Sequence, residues 1–177
     1  MLLGSAIVIL AYCAFVLVDT WMFQREQRRQ FEGLLTERAS AASRPPAASG
    51  VIGLLDIPRL GLSVMVVEGA GTSSLRRAAG HISGTALPGQ PGNVGISAHR
   101  DTFFRPLRNI RQNDIITVST LVGEYRYRVV STRIVRPSDI EVLDSTASQI
   151  LTLVTCYPFY FVGSAPDRFI VRAERIT

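Results

Sequence analysis

Three side chains of this sequence could do chemistry together: Cys156, His99 and Arg168. Cys156 closes the strand-like run Leu151-Thr-Leu-Val-Thr-Cys156 and precedes Tyr157-Pro158. The other cysteine, Cys13, sits inside an apolar N-terminal run, where it cannot readily pair with a thiol in a folded domain. Taken alone, a free cysteine is best read as a small buried hydrophobe. In an oxidising compartment an unpaired thiol is a hazard, so a chain that keeps one can be using it as a nucleophile. A free cysteine titrates at about 8.5, so a nucleophile needs an imidazolium or guanidinium nearby to raise its thiolate fraction. His99 suits that task and can then protonate a leaving amine. Arg168 cannot act as a base, but its planar donors can hold a developing oxyanion or a substrate carbonyl.

Each residue also has a plainer use. His99 can bond within its own loop, for instance to Asp101. Arg168 can cap strand ends or pair with Asp167 or Glu174. Thr155 is either strand filler or a helper at the oxyanion. His81 follows Gly80 at an expected helix end, where a structural role is the better reading. The three residues together, in this order, carry more than any one of them.

The elements that must position them are mostly strands. Val51–Ile57 is apolar and stops at Pro58, and Leu62–Val67 follows a turn at Gly61. Thr72–Gly80 has a capping hydroxyl and a terminal glycine, which predicts a short helix. Asn93–Ala98 reads as a strand ending at His99, and Phe103–Ile110 as an irregular helical turn. Asp114–Leu121 and Tyr125–Val135 are β-rich and joined by Val122-Gly-Glu124, a hairpin pattern. Ile140–Ser148 is a connection with a helical turn. Ile150–Cys156 and Phe169–Ile176 are strands separated by a loop rich in aromatics, glycine and proline. Many short strands with turn signals predict a mainly β fold, a closed or nearly closed barrel.

Leu2–Val18 is almost wholly apolar, and Trp21-Met-Phe23 extends the run. Residues 1–23 are therefore expected to form a transmembrane anchor in the lipid bilayer, with Trp21 and Phe23 at the interface. Residues 24–50 read as a helical stalk and a Pro/Ala/Ser linker, and 51–177 as the catalytic domain. Arg25, Arg28 and Arg29 follow the span, which by the positive-inside rule alone would keep that side cytoplasmic. The motifs below point to an extracytoplasmic domain instead.

The formal charge is +5, and all 19 basic residues are arginine. The absence of lysine excludes a lysine base, a Schiff base and a P-loop lysine. The arginines are scattered, so no nucleic-acid partner is expected. Two cysteines and two histidines without close spacing argue against structural zinc. No acidic cluster suggests calcium, and no metal or cofactor is expected.

The block Thr152-Leu-Val-Thr-Cys156 resembles the sortase signature Thr-Leu-x-Thr-Cys. Leu55-Asp-Ile-Pro-Arg-Leu-Gly-Leu62 is similar to the first sortase strand and turn. Gly80-His-Ile-Ser-Gly-Thr-Ala-Leu-Pro-Gly89 and Gly92-Asn-Val-Gly-Ile-Ser-Ala-His-Arg-Asp101 resemble the segment carrying the family's histidine. Arg168-Phe-Ile-Val-Arg-Ala173 resembles the strand carrying its arginine. Tyr157-Pro-Phe and Gly163-Ser-Ala-Pro-Asp-Arg168 look most like the class D group. The similarity runs from about Val51 to the C-terminus.

The resemblance implies an eight-stranded β-barrel and a cysteine transpeptidase. Such enzymes cleave a Leu-Pro-x-Thr-type sorting signal after threonine, hold a thioacyl intermediate and pass it to an amine. By matched position Cys156 is then the nucleophile, His99 the acid/base and Arg168 the oxyanion or substrate-positioning group. In the family the cysteine and histidine are thought to work as a thiolate–imidazolium pair. The implied partners are proteins bearing a C-terminal sorting signal and an amine acceptor, a cell-wall precursor or a pilin lysine. The implied location is the cell membrane, single-pass, serving surface-protein anchoring or pilus assembly. Leu87-Pro-Gly-Gln is internal and lacks the threonine, so the chain reads as enzyme rather than substrate. An extended, proline-bearing peptide suits a groove floored by strands, and Arg136–Gln149 and Tyr157–Asp167 are the expected walls. Competing readings are a membrane-tethered β-domain that only binds, and a thiol peptidase that mainly hydrolyses. A papain-like enzyme would put its cysteine before its histidine, and an L,D-transpeptidase would put arginine where Tyr157 stands.

Overall fold

The computed structural model describes residues 2–40, 50–160 and 163–176, with the side chains of 2–6, 8 and 37–40 excepted. Helix α1 spans Leu2–Ser40. Eight strands follow: β1 Val51–Ile57, β2 Leu62–Glu68, β3 Ala79–His81, β4 Gly92–Ser97, β5 Ile115–Thr120, β6 Glu124–Val135, β7 Gln149–Tyr157 and β8 Asp167–Ile176. They close into a barrel in the order β1-β2-β3-β4-β7-β8-β6-β5. Closure leaves no free sheet edge, which is how a small β domain avoids edge pairing with other chains.

The pleat sorts the side chains. Leu55, Ile57, Val64, Val66, Val94, Ile96, Ile116, Val118, Leu151, Leu153 and Val171 point inward and are fully buried, alternating with outward residues. Each such burial contributes about 1.5–3 kcal/mol. On β7 the alternation leaves Thr152, Val154 and Cys156 on the outer face. Gly61 ends the 3-10 turn Pro58–Leu60 in the left-handed region, φ 58°, and its N–H donates to Pro58 O at 3.0 Å. Glycine takes that conformation without a Cβ penalty.

The expected short helix is shorter than its sequence suggests. Helix α2 covers only Thr72–Leu75. Ala79–His81 are instead recruited as β3, because their backbone pairs with both β2 and β4. The turns near Phe103–Ile110 and Ile140–Ser148 are 3-10, at Arg105–Asn109 and Ile140–Leu143. The linker 43–50 lies outside the described residues except for Gly50.

Between Gln24 and Phe31, side chains of the helix rest against the barrel. Helix α1 docks on β2 and on the turn after α2. Gln24 accepts from Met65 N–H at 3.0 Å and donates to Arg77 O, so one side chain answers two backbone groups. Arg28 donates to Ser63 Oγ at 2.7 Å, and Arg77 pairs with Asp19 at 3.0 Å. Phe31 is 4% exposed, and Met65, which points outward from β2, is fully covered. The sequence pattern hid this contact because one buried aromatic in a polar helix gives no clear stripe. Among the described residues no helix is long and apolar enough to cross a membrane. Those of α1 turn polar at Asp19, where docking begins.

Candidate active site

The barrel order brings Cys156, His99 and Arg168 to one rim. β4 and β7 are parallel neighbours, so their C-terminal ends lie together. β8 is antiparallel to β7, so its N-terminal end arrives at the same rim. Cys156 and Arg168 are directly opposite each other across the β7–β8 ladder. Directly opposed antiparallel residues have Cβ atoms about 4.5–5.5 Å apart. His99 follows β4, whose last strand residue Ser97 is paired with Val154. Ala98 continues that contact. Its N–H donates to Val154 O at 3.3 Å, and its carbonyl accepts from the Thr155 hydroxyl at 2.7 Å. The residues just before His99 and just before Cys156 are therefore bonded to each other. All three candidate side chains are half-buried, which leaves them accessible without full hydration.

Supporting groups hold this rim. Tyr157, Phe159 and Phe169 form an aromatic cluster with centroid distances of 5.3–6.3 Å, pinning the ends of β7 and β8. The Tyr157–Pro158 peptide is cis. Arg100 is buried and donates to Gly163 O at 3.0 Å, tying the His99 loop to the loop between Cys156 and Arg168. Phe104 N–H donates to His99 O at 3.1 Å. Arg168 donates to Ala165 O at 3.3 Å and Asp167 O at 3.0 Å. Its guanidinium thus rests on backbone carbonyls at the start of β8 and in the loop before it.

A groove of about 340 Å³ lies on the same outer face. Its floor includes Thr152, Ile170 and Arg172, and Asp139, Glu141 and Val142 stand along one side. Outward pairs along β7–β8 run Cys156–Arg168, Val154–Ile170, Thr152–Arg172, so the floor begins one pair from the thiol. Thr152 lies four residues from Cys156, about 13 Å by strand rise. The β6–β7 connection supplies one expected wall. The other, Tyr157–Asp167, supplies none of the described lining residues, and Phe161 and Val162 lie outside the description.

His81 is not at this rim. It is buried at the end of β3, with Nδ1 2.8 Å from Glu68 Oε2, and Nε2 donates to Ala86 O at 3.0 Å. Thr155 is neither filler nor free to meet an oxyanion, because its hydroxyl is engaged with Ala98. Thr155, Asn93 and Arg100 were all invisible as positioning residues in the sequence, since their partners lie about 50–60 residues away. Among the described residues no group of three or more histidines, cysteines or acids could hold a metal ion.

The closed eight-stranded barrel with a cysteine and an arginine facing each other at its rim is a sortase fold, and the chain belongs to the sortase family. Residues 55–176 match the family model described as Sortase domain. The chain is 30% identical to Sortase D of Bacillus subtilis, over 99% of this chain and 96% of that protein. The structure of a Clostridium perfringens Sortase D5 transpeptidase superposes with a TM-score of 0.74 at 26% identity, covering 88% of this chain and 99% of that one. Sortase C1 of Streptococcus agalactiae gives a TM-score of 0.69 at 28% identity, with 75% and 71% covered. Sortases are cysteine transpeptidases, and the resemblance to class D is shared by sequence and fold.

Proposed function

We propose that this transpeptidase cleaves a Leu-Pro-x-Thr-type signal after threonine, with Cys156 as nucleophile, His99 as acid/base and Arg168 as oxyanion and substrate donor. The Cys156 thiolate attacks the threonine carbonyl carbon, and the oxyanion that forms is met by the Arg168 fork. Collapse expels the amine of the next residue, which takes a proton from His99, and leaves a thioester. An incoming amine then attacks the thioester, gives a proton back to His99 and releases Cys156. The single observation that carries this reading is the rim geometry: Cys156 faces Arg168 in register, and Ala98, next to His99, is bonded to both residues that precede Cys156.

The groove supports the substrate class. A threonine at the thiol puts the leucine three residues away, about 10 Å in extended chain. That distance reaches the floor around Ile170 and Thr152, where Val142 and Val135 add apolar lining. The acceptor is an amine of a cell-wall precursor or pilin lysine, for surface anchoring or pilus assembly.

Residues 1–23 serve as the membrane anchor, 24–50 as the connection and 51–177 as the catalytic domain outside the cytoplasm. Support for the anchor is the apolar run Leu2–Val18 and the exposure of Ile9, Leu10, Phe15, Leu17 and Trp21 on α1, which no part of the described barrel covers. A reporter fused after Thr177 should be active outside the cytoplasm. Activity confined to the cytoplasm overturns this topology.

The test of the chemistry is thiol reactivity with turnover. In a Cys13→Ala background, iodoacetamide should label Cys156 in the folded protein and abolish cleavage of Leu-Pro-x-Thr peptides. Cys156→Ala should be inactive with an unchanged melting temperature. Wild-type turnover by that variant refutes the nucleophile assignment.

A further inference from the structure

We infer that Asn93 and Thr152 form a clamp that fixes the β6–β7 wall of the groove, and so govern how tightly the sorting peptide is held. This inference rests on the groove being the peptide site. Asn93 points outward from β4, on the face shared with Thr152, yet it is 1% exposed and Thr152 is 0% exposed. A buried carboxamide must satisfy one acceptor and two donors. Here all are met. Asn93 Oδ1 accepts from the Thr152 hydroxyl at 2.7 Å, and Nδ2 donates to Val142 O at 3.0 Å and Asp144 O at 3.3 Å.

The two carbonyls belong to the end of the 3-10 turn Ile140–Leu143 and the residue that follows it. That turn is four residues long and has little to hold it by itself: Ile140 is 71% exposed. It is fastened to the barrel at two neighbouring points of β4. One is the Asn93 amide. The other is Gly95, where an added Cβ would meet Leu143 Cδ2 at 3.1 Å, so the missing side chain makes room for the wall. Val142, whose carbonyl Asn93 holds, lines the groove on its β6–β7 side. Asn93 touches no substrate in this arrangement. It is a positioning residue, and its effect is transmitted through the wall.

Asn93→Asp is the sharpest test, because it keeps the shape and the acceptor for Thr152. It replaces the two donors with an oxygen facing two carbonyl oxygens, which repels the wall. Steady-state kinetics should use a Leu-Pro-x-Thr peptide that the wild-type enzyme cleaves. The variant should raise KM about tenfold with kcat changed far less, as expected for lost positioning that ground and transition states share. Alkylation of Cys156 by iodoacetamide should stay within about twofold, because the rim contacts are untouched. Hydrogen exchange across residues 139–146 should accelerate in the variant, with or without peptide. Thr152→Val removes one of the three bonds and should accelerate exchange across residues 139–146 in the same direction but less, while Thr152→Ser, which keeps the hydroxyl, should leave that exchange unchanged.

A lower melting temperature with unchanged KM and exchange would make Asn93 a plain core residue and overturn the inference. If Asn93→Asp does not fold, exchange across residues 139–146 in Thr152→Val decides: unchanged exchange there overturns the inference. If the wild type cleaves no Leu-Pro-x-Thr peptide, the proposed substrate reading fails. Unchanged exchange in the variants would then refute the clamp separately.

Discussion

Thr155→Val tests whether the bond between the two catalytic strands matters for chemistry as well as for folding. Thr155 is 2% exposed, and its hydroxyl donates to Ala98 O at 2.7 Å. Valine has nearly the same shape, so no cavity opens. The loss is one buried hydrogen bond plus a carbonyl deprived of that donor, together about 1–2 kcal/mol. For a chain of this length that lowers the melting temperature by roughly 3–6 °C. The larger effect should be on rate. Without the hydroxyl, Ala98 keeps only its 3.3 Å bond to Val154, and His99 loses its fixed offset from Cys156. A displacement near 1 Å can cost about 100-fold, so kcat/KM at 25 °C, well below melting, should fall about 10- to 100-fold. Thr155→Ser should restore both. A variant that melts early but turns over peptide at the wild-type rate would refute the positioning argument. Unchanged melting would show that the bond is not made in solution.

Arg168→Lys keeps the charge and loses the planar fork. Its present partners are backbone carbonyls at the strand ends, so the fold should survive while kcat falls by about 100- to 1000-fold. Wild-type kinetics would remove Arg168 from the mechanism. Asp114 is buried, accepts from Arg111 N–H at 2.7 Å and is paired with Arg59. The hydrogen bond from Arg59 holds its carboxyl below the usual range. A depressed carboxylate stabilises the fold above its unfolded value of about 3.9 and loses that contribution as pH falls through the folded value. Asp114→Asn should therefore melt lower at pH 7, with the difference from wild type shrinking as thermal melts are taken below pH 4. Gln24→Ala leaves the covered Met65 N–H without its acceptor and should cost about 1–2 kcal/mol in thermal melts of the full chain in detergent. An unchanged melt would mean that α1 is not docked.

Much of the barrel could be read from the sequence. Strands such as β1 and β5 alternate buried and half-buried residues and end at clear punctuation, Pro58 and the Gly123 turn. β3 was lost because three residues, Ala79–His81, have no period of their own. Only pairing with β2 and β4 makes them a strand. The docking of α1 escaped for the same reason, since Gln24 and Arg28 read as solvent-facing until Met65 and Ser63 are placed beside them. At the site, residue types and a family signature nominate Cys156, His99 and Arg168, whose roles are proposals. Their meeting at one rim was not readable, because it depends on β4 and β7 being parallel neighbours whose partners, such as Ser97 and Val154, are far apart in sequence. The groove wall was expected on the β6–β7 connection, but Asn93, which fastens it, carries no local signal at all.

The most direct test is to trap the acyl-enzyme. The protein should be incubated with a library of Leu-Pro-x-Thr peptides without an amine acceptor, quenched in acid and digested, and the fragment carrying Cys156 weighed. The account predicts a mass increase on Cys156 equal to the peptide ending at its threonine less one water, as a thioester requires. The adduct should be released by hydroxylamine and absent in Cys156→Ala. Peptide cleavage without any adduct on Cys156, or with the adduct on Cys13, would contradict it.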